Sequence, residues 1–117
     1  MTDRELLKLA AKAAGYVVVE YASDGVWIHL RGAVPNKAGE CPIFWWEPLI
    51  DDGDALRLAV KLGLRVGTDG QSFKPFIMCW KPHVENICVY EAEGNDPYAA
   101  TRRAIVRAAA EIGKGMK

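Results

Sequence analysis

Two runs rich in β-branched and aromatic residues, 16–22 and 26–31, are separated only by Ser23-Asp24-Gly25. Such runs favour pleated strands, and so short a link joins them only as antiparallel neighbours. Asp-Gly is a strong two-residue hairpin signal. With Asp24 and Gly25 as the turn, Ser23 faces Val26, Tyr21 faces Ile28 and Val19 faces Leu30 on one side. Glu20 then faces His29 on the other. A chain holding this hairpin is committed to an antiparallel sheet, and the remaining elements must cover it.

The helices announce themselves by their caps. Thr2-Asp3-Arg4-Glu5 is a capping-box pattern, followed by Leu6, Leu7, Ala10, Ala13 and Ala14 on one helical face and closed by Gly15. A first helix is expected over 3–14. Asp51-Asp52-Gly53-Asp54 leads into a second helix over 55–62, ended by Gly63. Its only charges are Arg57 and Lys61, so it should be buried on more than one side, by a third layer or by a dimer partner. Asp96 and Pro97 suit the cap and first position of a third helix over 97–112, with Tyr98, Ile105, Ala109 and Ile112 on one face and Gly113 and Gly115 as its stop. Strands are expected at 64–68, 76–80 and 87–91, with a turn at Asp69-Gly70. Residues 32–50, with Gly32, Pro35, Gly39, Pro42 and Pro48, read as an irregular excursion with room for a short strand at 43–46.

The order is helix, hairpin, excursion, helix, three strands, helix. We therefore expect one α+β domain over 1–117, a mainly antiparallel sheet of about four to five strands packed with three helices, sandwich-like. A length of 117 residues suits one domain, and 50% hydrophobic residues are enough for a packed core. Fifteen Lys+Arg balance fifteen Asp+Glu, which disfavours salt-driven binding to bare nucleic acid. No apolar run approaches the ~18 residues of a membrane span, and no signal-peptide pattern opens the chain. Cys41, Cys79 and Cys88 are odd in number and form no C-x-x-C pair, so free thiols in a reducing compartment are expected. Together these point to a cytoplasmic protein without a membrane role.

Two segments carry a likeness. Trp46-Glu47-Pro48-Leu49 followed by Asp52-Gly53-Asp54-Ala55-Leu56-Arg57-Leu58-Ala59 resembles a recurring stretch of small phage and prophage proteins, whose usual form has Asn at the place of Glu47. Ala100-Thr101-Arg102-Arg103-Ala104-Ile105-Val106-Arg107-Ala108-Ala109 is similar to the end of the same proteins. The chain thus resembles the phage ABA sandwich domain family over about a quarter of its length. The resemblance implies a sheet layered with helices in a bacterial host cell, and it implies no reaction, cofactor or catalytic residue.

Several constellations offer residues with chemical potential. Cys79-x3-His83-x4-Cys88, with Cys41 or His29, offers zinc-type ligands, but Cys79 and Cys88 fall in apolar strands where cysteine acts as a small hydrophobe. His29 opposite Glu20 is an acid–base pair without a nucleophile or oxyanion site beside it. Cys41 beside a histidine imitates a thiol nucleophile, yet Cys41-Pro42 lies away from any helix N-terminus. Asp51, Asp52 and Asp54 offer oxygens to a hard cation, though capping explains them equally. Neither phosphate-loop pattern occurs. Trp45-Trp46 is the most suggestive cluster: in a strand one ring faces the core and the other an interface, or both pack over the sheet if the excursion folds back. Arg102, Arg103 and Arg107 form a basic face on the last helix. The leading expectation is a non-catalytic phage or prophage accessory protein that binds a protein partner or itself, with Trp45 and Trp46 as candidate contacts. A nucleic-acid-binding regulator using Arg102, Arg103 and Arg107 is the first alternative. A small enzyme or metal protein around His29/Glu20 or the cysteines is the second. No cofactor is implied.

Overall fold

The Thr2 hydroxyl accepts a hydrogen bond from the Glu5 amide at 3.1 Å and opens helix α1, Asp3–Ala14. These are among residues 1–69 and 76–116, which the computed structural model describes. Gly15 stops the helix at φ 80°, a left-handed conformation that costs glycine nothing because it lacks Cβ. Leu6, Leu7, Ala10, Ala11 and Ala14 are its buried stripe.

Strands β1, Tyr16–Tyr21, and β2, Val26–Leu30, form the expected hairpin, but in another register. Tyr21 pairs with Val26, Glu20 with Trp27, Val18 with Ile28 and Val17 with His29, with an irregularity between Val18 and Glu20. The loop is four residues long, 22–25, and the Ala22 amide donates to the Gly25 carbonyl at 3.0 Å. Gly25 has no positive φ, so the two-residue Asp-Gly turn is not made. What Gly25 supplies is room: a Cβ there would lie 2.7 Å from the Trp46 carbonyl oxygen and 2.9 Å from the Trp45 ring. The bulge at Val19 lets Tyr16, Val18 and Tyr21 share the inner face while Glu20 points away.

The excursion yields β3, Phe44–Trp46, which pairs antiparallel with β2 and completes a three-stranded sheet, β1-β2-β3. Helix α2, Asp52–Leu62, follows. The Asp51 carboxylate accepts from the Asp54 amide at its start, and Gly63, at φ 67°, ends it. Strands β4, Arg65–Asp69, β5, Phe76–Trp80, and β6, Cys88–Ala92, make a second antiparallel sheet, β4-β5-β6. Asp69 closes β4, and Gly70 of the expected turn lies outside the described residues.

Among the described residues the chain is α+β, with three helices and two small antiparallel three-stranded sheets in place of the expected single sheet of four to five strands. The excursion strand joins the first hairpin, and the β4–β6 meander instead lays Ile77, Cys79 and Val89 against the last helix.

Helix α3, Pro97–Lys114, starts where expected: the Asp96 carboxylate accepts from the Tyr98 and Ala99 amides, both at 3.1 Å, with Pro97 in the first turn. It runs past Gly113, the stop expected from the sequence. That glycine sits inside the helix because α1 crosses there. A Cβ on it would lie 2.8 Å from the Leu9 carbonyl carbon and 3.2 Å from the Leu9 Cα. The two helices run side by side in the same direction. Arg103 meets Asp3 at 2.9 Å near one end, and Lys12 Nζ donates to the Met116 carbonyl at 2.7 Å near the other. Ala10 and Ala11 of α1, and Ala104, Ala108, Ala109 and Ala110 of α3, are buried, and such small side chains let helix backbones approach closely. Buried residues of both sheets and all three helices join in one core cluster.

Candidate interaction site

The stretch that links β3 to α2 is a knot of backbone bonds. The Ile50 and Asp51 amides both donate to the Glu47 carbonyl, at 2.9 and 2.8 Å. The Glu47 amide donates to Asp54 Oδ2 at 2.9 Å, and Arg57 Nη2 reaches Asp54 Oδ1 at 2.7 Å. Pro48 is fully buried. Here Glu47 acts through its backbone, so this bond does not depend on which side chain stands at 47. From α3, Arg102 Nε donates to the Leu49 carbonyl at 3.0 Å and Nη1 to Asp52 Oδ1 at 2.6 Å. Arg102 therefore staples the knot to α3, joining residues 46–59 to residues 100–109.

Those two segments face each other across an open groove of about 470 Å³ between α2, α3 and β4. Ala55, Leu56, Ala59 and Val60 form one wall, Tyr98, Thr101 and Ile105 the other, and Leu64 and Val66 the end. Leu56 is 64% exposed, Val60 74% and Tyr98 70%. Helix α2 was expected to be covered on more than one side. Instead Ala55, Leu58 and Ala59 are buried while Leu56 and Val60, one turn apart, stand in the open. Tyr98, placed with the apolar face of α3, is likewise outside the core. Asp52 and Arg102 are the charged groups of the lining, and they neutralise each other. The pattern was visible as Leu56 and Val60 at i and i+4; their exposure was not, because it depends on what α3 leaves uncovered.

The tryptophan pair is divided by the pleat. Trp46 is 5% exposed and packs edge-on against Tyr16, with ring centroids 5.3 Å apart. Trp45 is half-buried on the opposite face, edge-on to Trp27 at 5.2 Å. Only Trp45 of the pair offers surface.

All three arginines of α3 have intramolecular partners. Arg103 pairs with Asp3 and lies 3.9 Å from Glu91. Arg107 bonds Glu91 and donates to the Tyr90 carbonyl at 2.8 Å. Guanidinium groups held this way must exchange partners before they can take up phosphate.

The other constellations are dispersed. Glu20 and His29 are out of register, and His29 Nδ1 donates to the Leu30 carbonyl at 3.0 Å. Cys79 pairs with Val89 and Cys88 with Trp80, so the two thiols occupy opposite faces of the sheet. Cys79 is fully buried; burial, with a smaller contribution from Cys88, pushes its thiol up to about 12. Cys41 lies in the excursion, against the Ala33 carbonyl. Asp51 caps α2, Asp54 holds the Glu47 amide and Asp52 pairs with Arg102. Among the described residues no group of three or more His, Cys, Asp or Glu is placed to hold a metal ion. Nor is any helix among them long and apolar enough to cross a membrane.

No protein-family model matches the chain, and comparison with curated proteins and with solved structures returns no match.

Proposed function

We propose that this chain is a non-catalytic protein-interaction module, in the accessory role of the phage and prophage proteins it resembles, and that it docks its partner at the α2–α3 groove. The observation that carries the reading is the exposed row of Leu56, Val60 and Tyr98 beside an apolar cleft. Folding gains nothing from leaving such side chains in water, and clustered apolar exposure of this kind marks contact surfaces. Among the described residues the groove lining holds no nucleophile–base pair, and its two charged groups, Asp52 and Arg102, are spent on each other. The test is a photo-crosslinking residue placed at position 56 in living cells, with one at exposed Glu85 as control. A protein adduct is expected from 56 and none from 85. Absence of any adduct from 56 overturns the proposal.

A further inference from the structure

We propose that the cleft between α1 and the free edge of β1 binds an extended acidic peptide segment of a partner protein, which adds to the first sheet as a fourth strand beside β1. This surface is separate from the α2–α3 groove and shares no lining residue with it.

In the sheet β1-β2-β3, β1 lies at one edge, and among the described residues no strand pairs with its outer side. The Arg31 amide donates to the Gly15 carbonyl at 2.9 Å, which fixes the phase of the ladder. Residues 15 and 17 turn their backbone groups toward β2, so the amides and carbonyls of Tyr16 and Val18 turn away from it. They look into an open cleft of about 470 Å³. Lys8, Leu9 and Lys12 of α1 make its far wall, β1 makes its near wall, and Arg31 stands at the Gly15 end. A strand edge that faces a helix across a gap receives extended peptides, whose backbone completes the ladder. The bulge at Val19 ends regular pairing, so an added strand is held along residues 16–18, about 10 Å of chain.

Charge selects the occupant. The charged groups of the lining, Lys8, Lys12 and Arg31, are all cations. Lys12 donates to the Met116 carbonyl, which leaves its charge uncompensated, and among the described residues no carboxylate pairs with any of the three. Arg4 lies over the Tyr21 ring at 4.9 Å and Lys61 over the Tyr16 ring at 4.6 Å, so both tyrosines that bound the cleft carry a further cation. The acids of α1 and β1 do not offset them: Asp3 is paired with Arg103, and Glu5 and Glu20 lie outside the lining. Lysines beside an open edge deter indiscriminate strand pairing. An acidic strand gains backbone bonds and ion pairs together. A polynucleotide would meet the same cations, but its backbone has no amide to complete the ladder.

The experiment is fluorescence anisotropy of a labelled (Glu-Val)4 peptide titrated with the whole chain up to about 1 mM, a range that detects even weak binding. Two comparison peptides are (Lys-Val)4 and a (Glu-Val)4 N-methylated at every residue, which keeps the carboxylates and removes the backbone donors. The acidic peptide should bind about tenfold more tightly than either, because only it supplies both the charge and the ladder bonds. Lys8→Glu and Arg31→Glu, both at exposed positions where folding is undisturbed, should each weaken it about threefold or more. Arg65→Glu, the same charge change on exposed β4, should leave it unchanged. No binding of (Glu-Val)4 across the range overturns the proposal. So does equal binding of the N-methylated peptide, which would make the contact one of charge alone. Oligothymidylate bound as tightly as (Glu-Val)4 also overturns it, in favour of a nucleic acid. A loss on Arg65→Glu as large as that on Lys8→Glu removes the cleft as the site.

Discussion

Substituting Gly113 by alanine sets two effects of opposite sign against each other. Alanine is the better helix former by about 1 kcal/mol in a helix interior, so propensity alone makes Gly113→Ala stabilising. Against this stands the crossing with α1. The new methyl would sit 2.8 Å from the Leu9 carbonyl carbon, and both that carbon and the 3.2 Å Cα are backbone, which no rotamer change can move aside. Ordinary contact requires α1 and α3 to part by roughly an ångström. A gap of that size forfeits a quarter to a half of the dispersion energy at each contact it opens. The contacts opened lie among buried Ala10, Ala11, Ala109 and Ala110. Overpacking of this kind costs about 1–3 kcal/mol, and the loss along the alanine seam adds to it. The net expectation is a destabilisation of about 2–4 kcal/mol, with a fall in Tm of about 10 °C. Urea denaturation followed by far-ultraviolet dichroism reads it directly. Gly115→Ala is the paired control, since a Cβ there meets only the Ile112 carbonyl oxygen at 3.7 Å; it should change stability by less than about 0.5 kcal/mol. A Gly113→Ala protein as stable as wild type would refute the close crossing.

Trp46→Ala should destabilise by about 3–5 kcal/mol by emptying a core site, whereas Trp45→Ala, half-buried on the other face, should lose less than half of that; thermal melts of both decide. Arg107→Ala leaves Glu91 without its closest cation and the Tyr90 carbonyl without a donor, so stability should fall by about 1–2 kcal/mol in urea titration, and unchanged stability would mean the pair is merely superficial. At pH 8 an alkylating reagent should modify exposed Cys88 in the native protein and reach Cys79 only after unfolding. Because the native state holds the Cys79 proton more tightly than the unfolded chain, this thiol's contribution to stability is fully present below pH 9 and is lost as pH rises toward 12; a Cys79→Ala variant should show a shallower alkaline decline in its urea midpoint.

Local signals carried much of the fold. Caps at Thr2, Asp51 and Asp96 mark three helix starts, and each is made by its own side chain within a few residues. What failed was non-local. Asp24-Gly25 reads as a tight turn when taken alone, yet Gly25 is present because β3 passes over it, and β3 lies some twenty residues on. Gly113 reads as a helix stop for the same reason: its partner, Leu9, is at the other end of the chain. The hairpin register followed the misread turn, and with it went the Glu20–His29 pairing. The α2–α3 groove was half legible. The apolar character of α2 could be read from its residues, but which of its faces stays open depends on where Arg102 pins the preceding turn.

The parallel packing of α1 on α3 also orders events in time. Lys12 and Met116 are 104 residues apart, and the other elements described here are synthesised between them. At cellular rates of translation α1 therefore waits about 5–20 s for the helix that covers its Leu6, Leu7, Ala10, Ala11 and Ala14 stripe. The first sheet is assembled from residues 16–46 and has all its strands long before then. The nascent chain must carry an uncovered apolar helix beside a finished sheet, and its cooperative closure falls to the last eighteen residues of helix to arrive.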